Sequence, residues 1–186
     1  MKKLLSIALL ALLFAGCNGD EPASDAFPNF LELYLEHGEI PHGMMIRKAD
    51  YTVDGTEAHL EFFAEDSSSS AWPIPVYRMS ISYTLPEGQT GIGNAKIAGG
   101  DYDFVLSSVR MPHGKGPVSY KTSLNKSKNK PLVIKRVGDK VSVYISKAYI
   151  ELVEGQESIS YKTLSIYFNN TLPFDNITID VDDIDE

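Results

Sequence analysis

Apolar and polar residues alternate with a period of two along most of the chain after residue 28, and this alternation limits the fold more than any other feature. Leu31 and Leu33 alternate with Glu32 and Tyr34, and a longer run of the same kind covers residues 77–85. Successive side chains of a β-strand point to opposite faces, so these runs predict half-buried strands. Helical periodicity extends no further than a turn or two. We therefore expect an all-β fold.

Two short turn signals divide the alternating runs into hairpins. Asp54-Gly55 separates residues 44–53 from residues 56–63, and Gly138-Asp139 separates residues 131–137 from residues 140–153. Further strand candidates cover residues 101–110, 118–124, 158–168 and 177–181. The total of roughly eight to ten strands predicts an antiparallel β-sandwich or a flattened barrel, with a lipocalin-like barrel as the alternative.

Length and composition favour one folded domain. The chain has 186 residues, of which 43% are hydrophobic and 23% are charged, as in ordinary globular proteins. We expect the domain to span residues 29–186, after a polar tether at residues 17–28, and to end in an acidic tail. The formal net charge of −8 disfavours nucleic acid as a partner, because binding to phosphates requires a basic surface.

The first 17 residues have the layout of an export signal. Lys2 and Lys3 precede an apolar run over residues 4–14, and small residues follow at Ala15 and Gly16. The run is too short to cross the roughly 30 Å hydrocarbon core of a bilayer, so cleavage after residue 16 is expected. Cys17 is the only cysteine and cannot form an internal disulfide in an exported protein.

The segment Leu13-Phe14-Ala15-Gly16-Cys17 resembles the bacterial lipobox. The resemblance implies that residues 1–16 form a signal peptide and that Cys17 carries a diacylglycerol and an N-acyl chain, such as palmitate. Asn18 stands where lipoproteins retained at the inner membrane often have aspartate, which implies anchoring at the outer membrane, on its periplasmic or cell-surface face. The chain has an early strand pair, Leu85-Pro86-Glu87-Gly88 after a strand, and a late hairpin at residues 133–145 that closes toward Phe168-Asn169. This order resembles small β-rich surface lipoproteins of the Bacteroidota type, a likeness that implies a location but no activity.

Catalytic and metal-binding motifs give little support for an enzyme. The sequence has no Gly-x-Ser-x-Gly elbow, His-Glu-x-x-His or phosphate-binding loop, and Cys17 is not a nucleophile once lipidated. Two imidazoles and a carboxylate occur together in the segment that contains Glu36, His37, Glu39 and His42, but its glycines and proline favour an exposed loop over a metal site. The acidic residues 180–186 lack the spacing of a calcium loop. We expect no enzymatic activity, metal or cofactor.

Aromatic residues provide one set of candidate ligand-binding positions. Trp72 lies in a segment rich in serine and proline, and Tyr77 and Tyr102 are its possible neighbours in a platform on which sugar rings stack. The alternative is that Trp72 closes one end of the core, as large aromatic side chains often do.

Basic residues provide a second set. No acidic residue occurs between Phe104 and Gly138, whereas eight basic residues do: Arg110, Lys115, Lys121, Lys126, Lys128, Lys130, Lys135 and Arg136. Lys126, Lys128 and Lys130 are therefore candidates for binding an anionic ligand. Alternatively, these lysines are solvated and protect edge strands from aggregation.

Taken together, these features predict a membrane-anchored, exported lipoprotein whose domain is a non-catalytic binding module for a glycan, lipid or protein. The alternative is a structural component of an envelope protein complex. A small hydrolase that uses paired carboxylates is a third hypothesis.

Overall fold

A computed structural model of the chain describes residues 29–34, 42–66, 69–70, 73–113, 116–154 and 161–176. Regular structure in these residues is β-sheet, apart from a 3-10 turn at Lys126–Lys128. The strands are β1 (Phe30–Tyr34), β2 (His42–Asp54), β3 (Glu57–Glu65), β4 (Val76–Thr84), β5 (Ala95–Ile97), β6 (Tyr102–Arg110), β7 (Ser119–Thr122), β8 (Leu132–Val137), β9 (Lys140–Glu154), β10 (Thr163–Thr171) and β11 (Phe174–Asp175). The all-β prediction is confirmed.

Eight of these strands close into an antiparallel barrel. β1, β2, β3, β4, β6, β7, β9 and β10 pair in chain order, and β10 pairs back with β1. The strands β8 and β5 continue the sheet beyond β9, and β11 pairs with β2. Sequential pairing with closure is the up-and-down arrangement, which leaves these eight strands without a free edge. The barrel form of the prediction therefore describes the molecule, and the two-sheet sandwich does not.

Both predicted hairpins are present. The β2–β3 turn contains Gly55 at a φ of +61°, and the β8–β9 turn contains Gly138 at a φ of +62°. Glycine adopts this left-handed backbone conformation without the steric cost of a Cβ atom. The hairpin signal was reliable because it depends on the local conformation of two residues.

The glycine-rich segment 88–100 is tied to the sheet and to the core. It contains β5, which pairs with β8, and it buries Ile92 and Ile97 in the core. Two short strands, β5 and β11, were not predicted, because two or three residues are too few to show a period. The candidate strand 177–181 lies outside the described residues.

Inward-facing side chains from every strand of the barrel fill its interior. Leu31 and Leu33 of β1 are buried there, and the rings of Phe62 and Phe168 lie 5.5 Å apart. Burial of each large apolar side chain contributes about 1.5–3 kcal/mol. The described barrel strands and the core residues that they bury lie between residues 29 and 176.

Candidate functional site

The three aromatic residues predicted as a sugar platform are not brought together on the surface. Tyr77 and Tyr102 belong to the barrel core and are 7% and 1% exposed, so neither ring is available for stacking. Burial raises the pKa of the Tyr102 hydroxyl, which donates a hydrogen bond of 2.9 Å to the carbonyl oxygen of Lys130. Trp72 lies outside the described residues.

A different set of aromatic side chains lies on the outer wall of the barrel. Phe30 of β1, Tyr167 of β10 and Tyr144 of β9 are opposite one another in the register of three adjacent strands. Their ring centroids are 5.9 Å apart for Phe30 and Tyr167 and 6.4 Å apart for Tyr144 and Tyr167. Met45 of β2 and Val133 of β8 extend this apolar row at its two ends. The row thus crosses five neighbouring strands on the side away from the core. Tyr167 and Val133 are only 4% and 8% exposed within it, so the accessible rings of the row are those of the half-buried Phe30 and Tyr144.

A second row, which contains two aromatic side chains, crosses β1, β10 and β9. Tyr34 of β1 and Tyr149 of β9 are both register partners of Thr163 on β10. Tyr34 follows Phe30 by four positions along β1, so the two rows are about 13 Å apart. Both tyrosines are half-buried.

Polar side chains lie between the two rows. The carboxylate oxygen Oε2 of Glu32 accepts hydrogen bonds from the Tyr34 hydroxyl at 2.7 Å and from Ser165 Oγ at 3.1 Å. Desolvation and the hydrogen bond to Glu32 raise the pKa of the Tyr34 hydroxyl. These contacts fix the carboxylate in one orientation. We call this set the aromatic face: Phe30, Glu32, Tyr34, Tyr144, Tyr149, Ser165 and Tyr167.

The aromatic face combines two kinds of contact that carbohydrate ligands use. A pyranose ring has apolar C–H faces that pack on flat aromatic rings. Its hydroxyl groups donate to and accept from carboxylates and hydroxyls, which are the polar groups held between the two rows. The side chains lie on strands of a closed barrel, so little conformational freedom remains to be lost on binding.

The basic residues of segment 104–138 are dispersed over several elements. Arg110 donates to the carbonyl oxygen of Ile74, and Lys121 Nζ lies 3.3 Å from a carboxylate oxygen of Glu151. Arg136 donates to the carbonyl oxygens of Ile92 and Gly138. Lys115 lies outside the described residues. These contacts are structural, so the segment does not act as one continuous basic belt.

Three of the predicted lysines nevertheless lie together in the loop at residues 123–131, which we call the lysine loop. Lys126 Nζ lies 3.0 Å from both carboxylate oxygens of Asp103. Lys128 and Lys130 are exposed. The backbone N–H of Lys130 donates to the carbonyl oxygen of Lys147 on β9 at 2.8 Å, which brings a fourth lysine to the group.

The lysine loop is fastened to β9 directly beside Tyr149. The N–H of Ser123 donates to the Tyr149 carbonyl oxygen at 3.0 Å, and Asn129 Oδ1 accepts from the Tyr149 N–H at 2.8 Å. Asn129 is buried, and a Cβ atom on Gly99 would lie 2.0 Å from its carbonyl oxygen. The loop therefore packs backbone against backbone and has one position relative to the aromatic face.

Two other polar clusters occur among the described residues. On the outer wall formed by β2, β3 and β4, an open depression of about 400 Å³ is lined by polar residues that include Asp50, His59, Glu61 and Arg78. Arg78 and Glu61 form an ion pair across this depression. The pairing satisfies Arg78 and Glu61 internally, which leaves less for a ligand to gain from these two groups.

At one end of the barrel, His42 Nε2 lies 3.1 Å from Asp66 Oδ2, and the rings of His42 and Tyr161 are 5.8 Å apart. The other three residues considered as metal ligands in the sequence lie outside the described residues: Glu36, His37 and Glu39. Within the described ranges, no group of three or more His, Cys, Asp or Glu side chains is arranged to hold a metal ion. No helix in the same part of the chain is long and apolar enough to span a membrane.

The fold and the site define a closed eight-stranded antiparallel barrel with an outer wall that is aromatic and, beside it, basic. Comparison of the chain with protein-family models, curated proteins and solved structures finds no match.

Proposed function

We propose that the protein is an exported, lipid-anchored glycan-binding protein without catalytic activity, and that the glycan binds on the aromatic face. The observation that carries this proposal is the arrangement of outward rings in register across β1, β10 and β9, with the hydrogen-bonded Glu32 carboxylate between them. Phe30, Tyr34, Tyr144 and Tyr149 are half-buried on the outer side of the barrel, so their rings keep accessible area on which a ligand can stack.

A protein partner is the second candidate, in keeping with a role in an envelope complex. The apolar row from Met45 to Val133 favours it, because such rows occur at the centres of protein interfaces. The middle of the face argues against a dry protein contact, since Glu32 would be desolvated there. Sugar hydroxyls replace the hydrogen bonds of water at such a carboxylate, so the glycan is the better fit.

The membrane anchor is the second part of the proposal, supported by the likeness of residues 13–17 to the lipobox. Two or three acyl chains hold a protein on a bilayer far more stably than one chain does. By the same likeness, Asn18 supports placement at the outer membrane. The domain would then present its aromatic face to glycans close to the membrane.

Replacement of the anchor residue tests this part. In cells that express the full chain, Cys17→Ala should abolish incorporation of labelled fatty acid and should prevent signal-peptide processing at residue 16. Asn18→Asp is the matched control: it keeps the acyl label but should move the protein toward the inner-membrane fraction. Acyl label that persists in Cys17→Ala would show that the anchor is assigned to the wrong residue.

Removal of outward rings tests glycan binding. Tyr144→Ala and Tyr149→Ala should each weaken binding about fivefold, because a stacked ring contributes about 1 kcal/mol. Affinity electrophoresis of fragment 24–186 in gels that contain single polysaccharides, neutral and acidic, measures the change. Phe63→Ala is the control, since Phe63 is an outward ring on β3, on another part of the wall.

Three results would contradict the proposal. The fragment fails to bind any polysaccharide of the panel, Phe63→Ala weakens binding as much as Tyr144→Ala, or incubation with a bound polysaccharide releases new reducing ends. The last result would indicate a hydrolase. Circular dichroism and a cooperative thermal transition establish that each variant is folded before its binding is compared.

A further inference from the structure

Lysine side chains adjoin one end of the aromatic face. Lys147 Nζ lies 5.2 Å from the centroid of the Tyr149 ring. The hydrogen bond from the Lys130 N–H to the Lys147 carbonyl oxygen places the lysine loop on the side of β9 away from β10. The aromatic rows and the lysines are therefore consecutive along one surface.

The charges of these lysines are not neutralised within the described part of the chain. Asp103 pairs with Lys126 and Glu151 pairs with Lys121, whereas no described carboxylate forms an ion pair with Lys128, Lys130 or Lys147. The protein has a net charge of −8, so this is a local concentration of positive charge on an acidic molecule. Such a patch attracts anions that the rest of the surface repels.

Contacts with buried residues also hold the lysine loop in place. Tyr102 donates from the core to the Lys130 carbonyl oxygen, and Asn129 Oδ1 accepts from the Tyr149 N–H. Gly99 allows the backbone at Asn129 to approach closely. A loop that served only to solvate lysines would not need two partly buried hydrogen bonds and a close backbone contact. The ties fix where the ammonium groups start relative to the rings.

We propose, on the basis of the glycan-binding function above, that the ligand is an acidic glycan. Its sugar rings contact Tyr144 and Tyr149, and its carboxylate or sulfate groups meet Lys128, Lys130 and Lys147. The anionic groups confer selectivity among glycans, whereas the rings bind the sugar backbone whatever its charge. This division predicts that charge and stacking are separable in experiment.

The test uses pairs of polysaccharides with the same backbone and different charge: polygalacturonate with its methyl ester, and dextran sulfate with dextran. Fragment 24–186 should bind at least one acidic member about fivefold or more tightly than its neutral partner at low salt. The Lys128→Gln/Lys130→Gln variant should lose most of that difference and keep its affinity for the neutral member. High salt should have the same effect as the substitutions.

A variant matched in charge serves as the control. Lys48→Gln/Lys140→Gln also removes two positive charges, one from β2 and one from the β8–β9 hairpin, away from the lysine loop. It should keep the preference for the acidic member. If both double variants lose the preference equally, the effect comes from net charge and the inference is wrong.

The remaining outcomes separate this inference from the proposed function. Equal binding of neutral and acidic members, sensitive to Tyr144→Ala, would overturn the acidic ligand and leave the glycan-binding function standing. Absence of binding to every polysaccharide would overturn both. Leu124 of the lysine loop is 91% exposed. Stronger binding to vesicles that contain phosphatidylglycerol than to any polysaccharide, lost in Leu124→Ser, would replace the glycan with a lipid surface.

Discussion

Gly99→Ala is expected to lower the free energy of unfolding by about 3 kcal/mol or more. A Cβ atom at this position would lie 2.0 Å from the carbonyl oxygen and 2.7 Å from the carbonyl carbon of Asn129. Both atoms belong to the backbone, so no side-chain rotation relieves the overlap. The turn that contains Gly99 must therefore move away from the lysine loop. This movement separates Gly99 from the buried Asn129.

Thermal unfolding of fragment 24–186 measures this effect, which corresponds to a drop of roughly 6–12 °C in Tm. Gly100→Ala is the matched control, because a Cβ atom there meets nothing within 4 Å. Its Tm should stay close to that of the wild type. Equal, small shifts for the two variants would mean that the lysine loop does not pack on Gly99. A folded Gly99→Ala variant should also lose its preference for acidic glycans.

Phe168→Ala is expected to cost about 3–5 kcal/mol of stability, the usual range for truncation of a fully buried phenylalanine. Phe168 is 0% exposed, and its ring lies 5.5 Å from the ring of Phe62 and 5.7 Å from that of Phe174. Removing the ring leaves a cavity in the interior. The strands of a closed barrel cannot move closer together to fill it. Urea unfolding should show a lower midpoint with an unchanged slope.

Phe63→Ala is the control for this substitution, because it removes the same ring from the outer wall. Phe63 is half-buried and lies under the cations of Lys48 and Arg78. Its loss should cost about 1 kcal/mol. A Phe168→Leu variant should recover part of the stability lost in Phe168→Ala. If Phe63→Ala is as damaging as Phe168→Ala, the assignment of inner and outer faces on the barrel strands is wrong.

The strand positions were largely predictable because strand and hairpin signals are local. The alternation in residues 77–85 corresponds to β4, whose apolar residues enter the core, and the glycine turns formed the two expected hairpins. Strands β5 and β11 were missed because they exist only through their pairing with β8 and β2.

The aromatic face was not predicted, although part of its signal was visible. Phe30 and Tyr34 occupy the positions that alternate with Leu31 and Leu33, so two aromatic side chains share the outward face of β1. Nothing in the sequence places them next to Tyr167 and the other rings, which follow more than 100 residues later. Tyr77, in contrast, belongs to the inward row of its own strand, so the same alternation argued against choosing it as a ligand-binding residue on the surface.

The basic residues show the same division. Their concentration between residues 104 and 138 is a property of the sequence, but the structure spreads them over several strands and pairs Lys121 and Lys126 with acids from other elements. Lys147, which lies outside that segment, joins the group only because the lysine loop runs along β9.

The sequence by itself determined the all-β class, the two glycine hairpins and the inward set of apolar residues, because each depends on neighbours within a few positions. Only the tertiary structure decided that the sheet closes as a barrel and which outward side chains meet across it. Closure depends on the pairing of β1 with β10, whose residues are about as far apart in the chain as those of any two strands. Register between such strands is set by the packing of the whole core, so a surface built from several strands becomes visible only after the barrel has closed.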